Sequence, residues 1–314
     1  MTIGAVVIGR NEGARLIACL TALQGQVAQV VYVDSGSTDG SVAAAQGMGA
    51  QVIALDMSQG FTAARARNAG LAALKSDIDV VQFLDGDCVM RDGWLEAAQA
   101  FLATQPDVAV VCGRRRERHP EATLYNALID TEWDTPVGAA RACGGDALMR
   151  VQPLRDVGGY RDTLIAGEEP ELCVRLRQAG WKIWRLDAEM TWHDAQITRF
   201  SQWWRRSQRA GHAFAEGAFL HGGAPERHWV AETRRALLWG AVLPLAIIVL
   251  ALVTGPTALL LFALYLLQIA RLALRHTLMW AIFTVLGKFP EMIGAVQFYW
   301  RHIRGGTSKI IEYK

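Results

Sequence analysis

Net charge is almost absent from this sequence: 32 lysines and arginines against 30 aspartates and glutamates leave +2, so no global basic surplus recommends nucleic acid as a partner. Cysteine is scarce. Cys19, Cys88, Cys112, Cys143 and Cys173 are odd in number, scattered and never spaced as CxxC, which argues against a disulfide framework or a zinc site. They read as buried thiols in a reducing compartment. The G-x-G-x-x-G turn that a dinucleotide-binding oxidoreductase carries after its first strand is missing, and "VVIGRNEGARL" stands in its place. A glycine-rich, lysine-bearing loop of the kind a nucleotidyltransferase uses is missing too. The opening "MTIGAVVIGRNEG" runs straight into a strand pattern without the order of a signal peptide, so the first domain is expected to stay in the cytosol.

Apolar residues are in surplus. With 52% hydrophobic and 20% charged residues, 314 residues bury one large domain and leave apolar sequence over. Much of it lies in 236–270, which contains no charged residue. At about 1.5 Å per residue, one helix of that length overruns a bilayer core of about 30 Å. Gly255-Pro256 divides it into two spans. Arg234 and Arg235 precede the first and Arg271 and Arg275 end the second, with no charge at the tip, which predicts a hairpin over about 236–274 with both ends in the cytoplasm. The following apolar stretch is interrupted by Lys288, Pro290 and Glu291, and its tail carries Arg301, Arg304, Lys309 and Lys314. An interfacial or re-entrant helix over about 277–303 is expected there. The plan is a soluble domain over 1–230 and a membrane region over 231–314.

The first half alternates short apolar runs with Ala/Leu-rich segments. "IGAVVIG", "QVVYVD", "AQVIAL" and "DVVQFLD" are continuously apolar, as strands buried on both faces of a parallel sheet are. Helix patterns separate them, and a β-α-β-α-β-α-β order implies an open α/β sheet. Ligands in such sheets sit at the carboxyl ends of the strands. Asp34 and Asp85 both end strands.

Asp85 and Asp87 in "VVQFLDGDCVM" are two carboxylates close enough to repel unless a cation or hydrogen-bond donors compensate. A hard divalent ion such as Mg²⁺ or Mn²⁺ is the simplest compensation, although Asp-Gly-Asp is also good turn chemistry. "GEEPELCVRLRQAG" opens a helix with Glu168, Glu169 and Glu171, which suit the helix dipole and also offer a general base. His193 ends the strand pattern "KIWRLDAEMTWH", where it is either structural or a further metal ligand. In "RFSQWWRRSQRAG", Arg205, Arg206 and Arg209 lie within about one helical turn of one another and face a diphosphate or, with Trp203 and Trp204 beside them, anionic headgroups, two readings of nearly equal weight that do not exclude each other. "GRRRERH", Gly113 to His119, reads as a solvated basic loop, with an anionic acceptor as the second reading.

In this order, "VVIGRNEGARL", "VVYVDSGSTDGS", "ARARNAG", "FLDGDC", "CGGDALMR", "GEEPELCVRLR" and "WH" resemble the family 2 glycosyltransferases over roughly Thr2 to Gly211. The resemblance implies a GT-A fold: a mostly parallel nucleotide-sugar-binding sheet with helices on both faces, here joined to a helical membrane region. It implies inverting transfer from a nucleotide-diphosphate sugar with Mg²⁺ or Mn²⁺. By the same resemblance, Arg10, Asn11, Glu12, Asp34 and Arg67 would shape the donor pocket, Asp85 would face the ribose or the metal, and Asp87 and His193 would bind the metal. Glu169 falls where the family has the aspartate of a Glu-Asp pair and would deprotonate the acceptor, with Glu168 able to share the role. Gly144, Gly145 and Asp146 would line the acceptor side, and Arg206 and Arg209 would face the diphosphate. Ser35 stands where many members have a second aspartate. The membrane hairpin implies a lipid-linked glycan acceptor and a bacterial inner-membrane enzyme of exopolysaccharide or envelope-glycan assembly. A polyprenyl-phosphate glycosyl synthase and an inactive sugar-nucleotide-binding scaffold are the alternatives; "QWWRR" matches a processive synthase's Gln-x-x-Arg-Trp only in part.

Overall fold

The structure is a computed structural model that describes residues 1–306 and residue 311; Lys309 and Lys314 of the basic tail lie outside them. The chain forms two compact units, Met1–Thr198 and Arg199–Lys314.

The first unit runs β1 (Ile3–Gly9), α1 (Ala14–Leu23), β2 (Gln29–Asp34), α2 (Ser41–Gly47), β3 (Gln51–Ala54), α3 (Ala63–Ala72), β4 (Val80–Asp85), β5 (Cys88–Met90) and α4 (Trp94–Thr104). It continues through β6 (Val108–Glu117), α5 (Leu124–Glu132), β7 (Gly138–Ala140), β8 (Ala147–Arg150), α6 (Val151–Asp156), α7 (Glu168–Gln178) and β9 (Lys182–His193). The sheet order is β3-β2-β1-β4-β8-β6-β9-β5, with β7 paired to β9. Strands β3, β2, β1 and β4 are mutually parallel, as their continuous apolar runs predict. From β8 onward the sheet is mixed, because β8 runs antiparallel to both β4 and β6 while β9 returns parallel to β6.

Register brings the acidic strand ends together. Gly9 of β1 pairs with Asp34 on one side, while Ile8 pairs with Asp85 on the other. Val6, Val31, Val33, Val81 and Phe83 are buried in the core on this sheet. Gly70 lets α3 lie directly on β1, where a Cβ would run into the Val6 side chain. Gly86 does the same for the turn after β4: a Cβ there would stand 3.3 Å from the Ile8 carbonyl oxygen.

The second unit begins with α8 (Phe200–His221), which the sequence plan had placed in the soluble domain. It belongs with the C-terminal helices because glycines on both partners remove the side chains between them. A Cβ on Gly211 would meet the Glu291 carbonyl, and one on Gly294 would meet that of Gln208. Gln208 Nε2 also donates to Gln297 Oε1 at 2.9 Å. Among the described residues, three helices are long and apolar enough to cross a membrane: Val230–Thr254, Pro256–Ala273 and Leu278–Ile303. The break at Gly255-Pro256 falls where the sequence puts it. The third stretch forms two helices, Leu278–Leu286 and Lys288–Ile303, with Gly287 between them, and Lys288 pairs with Glu291 one turn on at 2.5 Å.

Candidate functional site

The carboxyl ends of β1, β2 and β4 supply the first part of the site. Asp34 is 5% exposed and its oxygens accept from Tyr32 Oη at 3.0 Å and from the Gly36 and Ser37 amides at 3.0 and 2.9 Å. It therefore shapes its own loop. Asn11, at φ 55° in the left-handed region that Asn tolerates, accepts from the Thr38 amide at 2.7 Å while its own amide donates to Ser37 Oγ at 2.8 Å. The β1 and β2 loops are thus one structure. Arg10 is exposed beside them, and Glu12 pairs with Arg15 at 2.6 Å.

A buried ion network lies next to them. Arg67, on α3, donates to Asp85 Oδ1 at 2.7 Å and to Glu168 Oε1 at 2.5 Å, so one guanidinium joins β4 to the start of α7. Arg115, on β6, holds Asp146 through two contacts, Nε to Oδ2 at 2.9 Å and Nη2 to Oδ1 at 2.8 Å, and reaches Asp85 Oδ2 at 3.3 Å. Asp146 also accepts from Thr191 Oγ1 at 2.8 Å and from the Asp85 amide at 3.2 Å. Burial opposes its charge, but Arg115 and Thr191 outweigh burial and hold the Asp146 carboxyl below its usual range. Asp146, expected to line the acceptor side, is 1% exposed and supports Asp85 through the Asp85 amide. Its neighbour Gly145 does sit at the surface of the network: a Cβ there would stand 2.7 Å from Arg67 Nη2 and 3.2 Å from Asp85 Oδ2.

The acidic trio of α7 divides three ways. Glu168 faces Arg67. Glu171 is buried between Arg175 and Arg161, at 2.7 and 3.2 Å, and serves packing within its own helix and loop. Glu169, 1% exposed, accepts from the Cys143 amide at 2.8 Å, the Gly144 amide at 2.7 Å and Cys173 Sγ at 2.8 Å. Burial raises its pKa against the pull of those donors. Gly144 takes φ 103°, a conformation that other residues avoid, to present that amide.

Asp87 and His193 meet because β5 pairs antiparallel with β9, Cys88 opposite His193. His193 Nε2 lies 3.5 Å from Asp87 Oδ1. Asp87, Cys88 and His193 place one donor atom each within 4.8 Å of one another, as do Asp85, Cys88 and Asp146. The Cys88 sulfur is a soft donor that suits neither Mg²⁺ nor Mn²⁺. The remaining donors, carboxylate oxygens and an imidazole nitrogen, are the hard-to-borderline set that Mg²⁺ or Mn²⁺ takes, so the residues present fit such an ion.

Arg206 and Arg209 stand on α8 in the second unit. The sequence reading missed Arg115 and Glu117. "GRRRERH" is not a loop: residues 113–117 continue β6, and the period of two sends Arg115 and Glu117 to the site. Arg114 and Arg116 pair elsewhere, with Asp130 and Glu189. Strand alternation within the cluster was the available signal.

The sequence profile of Glycosyl transferase family 2 matches residues 5–154. Among curated proteins, the chain is 30% identical over 232 residues to the pre-mycofactocin glycosyltransferase of Mycobacterium tuberculosis, covering 69% of this chain and 47% of that one. It is 29% identical over 193 residues to the succinoglycan biosynthesis protein ExoA of Rhizobium meliloti, covering 56% and 58%. The chain thus spans about half the length of these relatives. Among solved structures, it resembles the mannosyltransferase PcManGT of Pyrobaculum calidifontis, solved with GDP-Man and Mn²⁺, at TM-score 0.66 and 22% identity over 95% of this chain and 87% of that one. Glucosyl-3-phosphoglycerate synthase of Mycobacterium tuberculosis, solved with Mn²⁺, UDP-Glc and glycerol 3-phosphate, matches at TM-score 0.51 and 20% identity over 70% and 80%. Residues 5–154 thus match glycosyl transferase family 2, and the chain shares the GT-A fold of these solved structures.

Proposed function

We propose that this chain is an inverting glycosyltransferase that moves a sugar from a nucleoside-diphosphate sugar to a lipid-linked polyprenyl diphosphate glycan. Its setting is the cytoplasmic face of a bacterial inner membrane, in exopolysaccharide or envelope-glycan assembly. The observation that carries the reading is the convergence of Asp85, Asp87 and His193 at the carboxyl edge of the sheet, beside the loops of Asn11 and Asp34. The relatives' names, a glycosyltransferase and a succinoglycan biosynthesis protein, agree with it. The three apolar helices and the basic residues at their ends support the membrane setting.

Asp87 and His193, with Asp85, would hold Mg²⁺ or Mn²⁺. Bound there, the ion offsets the charge that builds on the diphosphate leaving group. Asp34 and Asn11 keep the two loops in place for the nucleoside, and Arg67 fixes Asp85 against the start of α7. Glu169 accepts the proton of the acceptor hydroxyl; burial moves its pKa toward the pH at which a base works. Glu168, held by Arg67, is the second candidate for that proton. Attack opposite the leaving group inverts the anomeric centre.

The test is a donor screen with the full chain in detergent. UDP-, GDP- and dTDP-sugars are offered with and without Mn²⁺ or Mg²⁺, and released nucleoside diphosphate is measured. Metal-dependent release from one donor supports the reading, and no release from any of them with or without added polyprenyl diphosphate glycan contradicts it.

A further inference from the structure

We infer that Glu117 is a positioning residue for His193: it orients the ring so that Nε2 is presented to the ion, an inference that rests on the metal site proposed above. Glu117 and His193 are register partners across the parallel β6–β9 pair, at the last position of both strands. Two register shifts, between Cys112 and Arg114 and between Arg114 and Arg115, bring β6 into that register. Without them Glu117 would not lie beside His193. Bulges of this kind re-aim side chains next to active sites.

The histidine is clamped on its other sides. Trp133 packs edge-on to the ring at 4.8 Å, and Cys88 is its partner on β5. Nε2 faces Asp87, and Nδ1, on the opposite edge, is buried and lies 3.5 Å from Glu117 Oε2 without forming a hydrogen bond. The carboxylate cannot drift away. Glu117 is 1% exposed; Oε2 accepts from the Ala195 amide at 3.0 Å, and Oε1 accepts from the His119 amide at 3.2 Å and from Asn126 Nδ2 at 3.4 Å.

A buried carboxylate fixed opposite Nδ1 favours the tautomer with its proton on Nδ1, which leaves the Nε2 lone pair toward Asp87. A carboxylate behind a ligating histidine fixes ring orientation and raises ligand basicity, and losing it typically costs about 10- to 100-fold in metal affinity. Glu117 therefore acts through His193 and touches neither donor nor acceptor.

The experiment uses the full chain in detergent with Mn²⁺ alone as probe. Free Mn²⁺ is counted by electron paramagnetic resonance for the wild type, His193→Ala, Glu117→Gln and Asn126→Ala. The tautomer of His193 is read without metal from ¹⁵N shifts in histidine-labelled protein, assigned with His193→Ala. Glu117→Gln keeps a carbonyl oxygen for the Ala195 amide and removes the charge. The expected result is Mn²⁺ affinity about 10- to 100-fold weaker in Glu117→Gln, with the His193 proton shifted from Nδ1 toward Nε2. Asn126→Ala removes the longest of the three contacts to the carboxylate, at 3.4 Å, and keeps its charge and the Ala195 and His119 amides, so its affinity should stay near wild type. Unchanged affinity and tautomer in folded Glu117→Gln overturn the inference, as does an equal loss in Asn126→Ala, which makes the effect structural only. If wild type and His193→Ala bind Mn²⁺ alike, it is the metal reading at His193 that fails.

Discussion

Replacing Arg115 by Met should destabilise the first unit, because it strands a buried carboxylate. Asp146 has a fully buried side chain, and Arg115, 16% exposed, provides two of its charge-assisted contacts at 2.8 and 2.9 Å. Removing one partner of a buried pair leaves the other charge uncompensated, at a cost of about 3–5 kcal/mol. Thr191 and the Asp85 amide remain to share the Asp146 charge, and the loss stays within that range. For a unit of this size about 2–4 °C accompanies each kcal/mol. The first unfolding transition, followed by intrinsic fluorescence of the chain in detergent, should therefore fall by roughly 6–20 °C. The double variant Arg115→Met/Asp146→Asn removes both charges and should regain part of the loss, with a coupling of about 0.5–3 kcal/mol. Strict additivity of the two changes, or a loss below about 1 kcal/mol for Arg115→Met, would refute the claim that Arg115 neutralises Asp146.

Glu169→Gln should keep the donor-induced rise in melting temperature yet lose about 10²- to 10⁴-fold in turnover; if Glu168→Gln is the inactive variant instead, the base is one residue earlier. Because a base works deprotonated, kcat/KM should rise with pH through a carboxyl pKa above the usual carboxylate range, following the burial of Glu169. The same raised pKa means that Glu169 supports folding below the ordinary glutamate pKa and that this support is lost as pH rises through the raised value. Gly145→Ala puts a methyl 2.7 Å from Arg67 Nη2, and relieving that overlap should cost about 1–3 kcal/mol. Expressed in the transition state, that is roughly 5- to 160-fold in kcat/KM, measurable in the donor-hydrolysis assay.

The strand ends were readable because parallel strands buried on both faces announce themselves as continuous apolar runs, and their last residues are then the ligand edge. That is how Asp34 and Asp85 emerge from sequence, with His193 at the end of β9. The run of Arg114, Arg115 and Arg116 was not readable in the same way. Consecutive like charges look solvated, and only pairing with β9 reveals that alternate residues face opposite sides, so Arg115 joins Asp146 while its neighbours join Asp130 and Glu189. Glu169 illustrates a different limit. Its partners are backbone amides of Cys143 and Gly144, groups that every residue possesses and that no pattern marks. In the third apolar stretch one helix ends at Leu286 and the next begins at Lys288, and the pairing of Lys288 with Glu291 one turn on lets that second helix run through Pro290.

The most direct test of the account is Asp87→Asn, assayed for turnover of the donor found in the screen across a Mn²⁺ series. Asn keeps the size of the side chain and removes the charge beside His193 Nε2. The account predicts a loss of at least about 10²-fold in metal-dependent turnover, with the metal-free melting temperature kept. Near wild-type turnover and Mn²⁺ dependence in folded Asp87→Asn would contradict it.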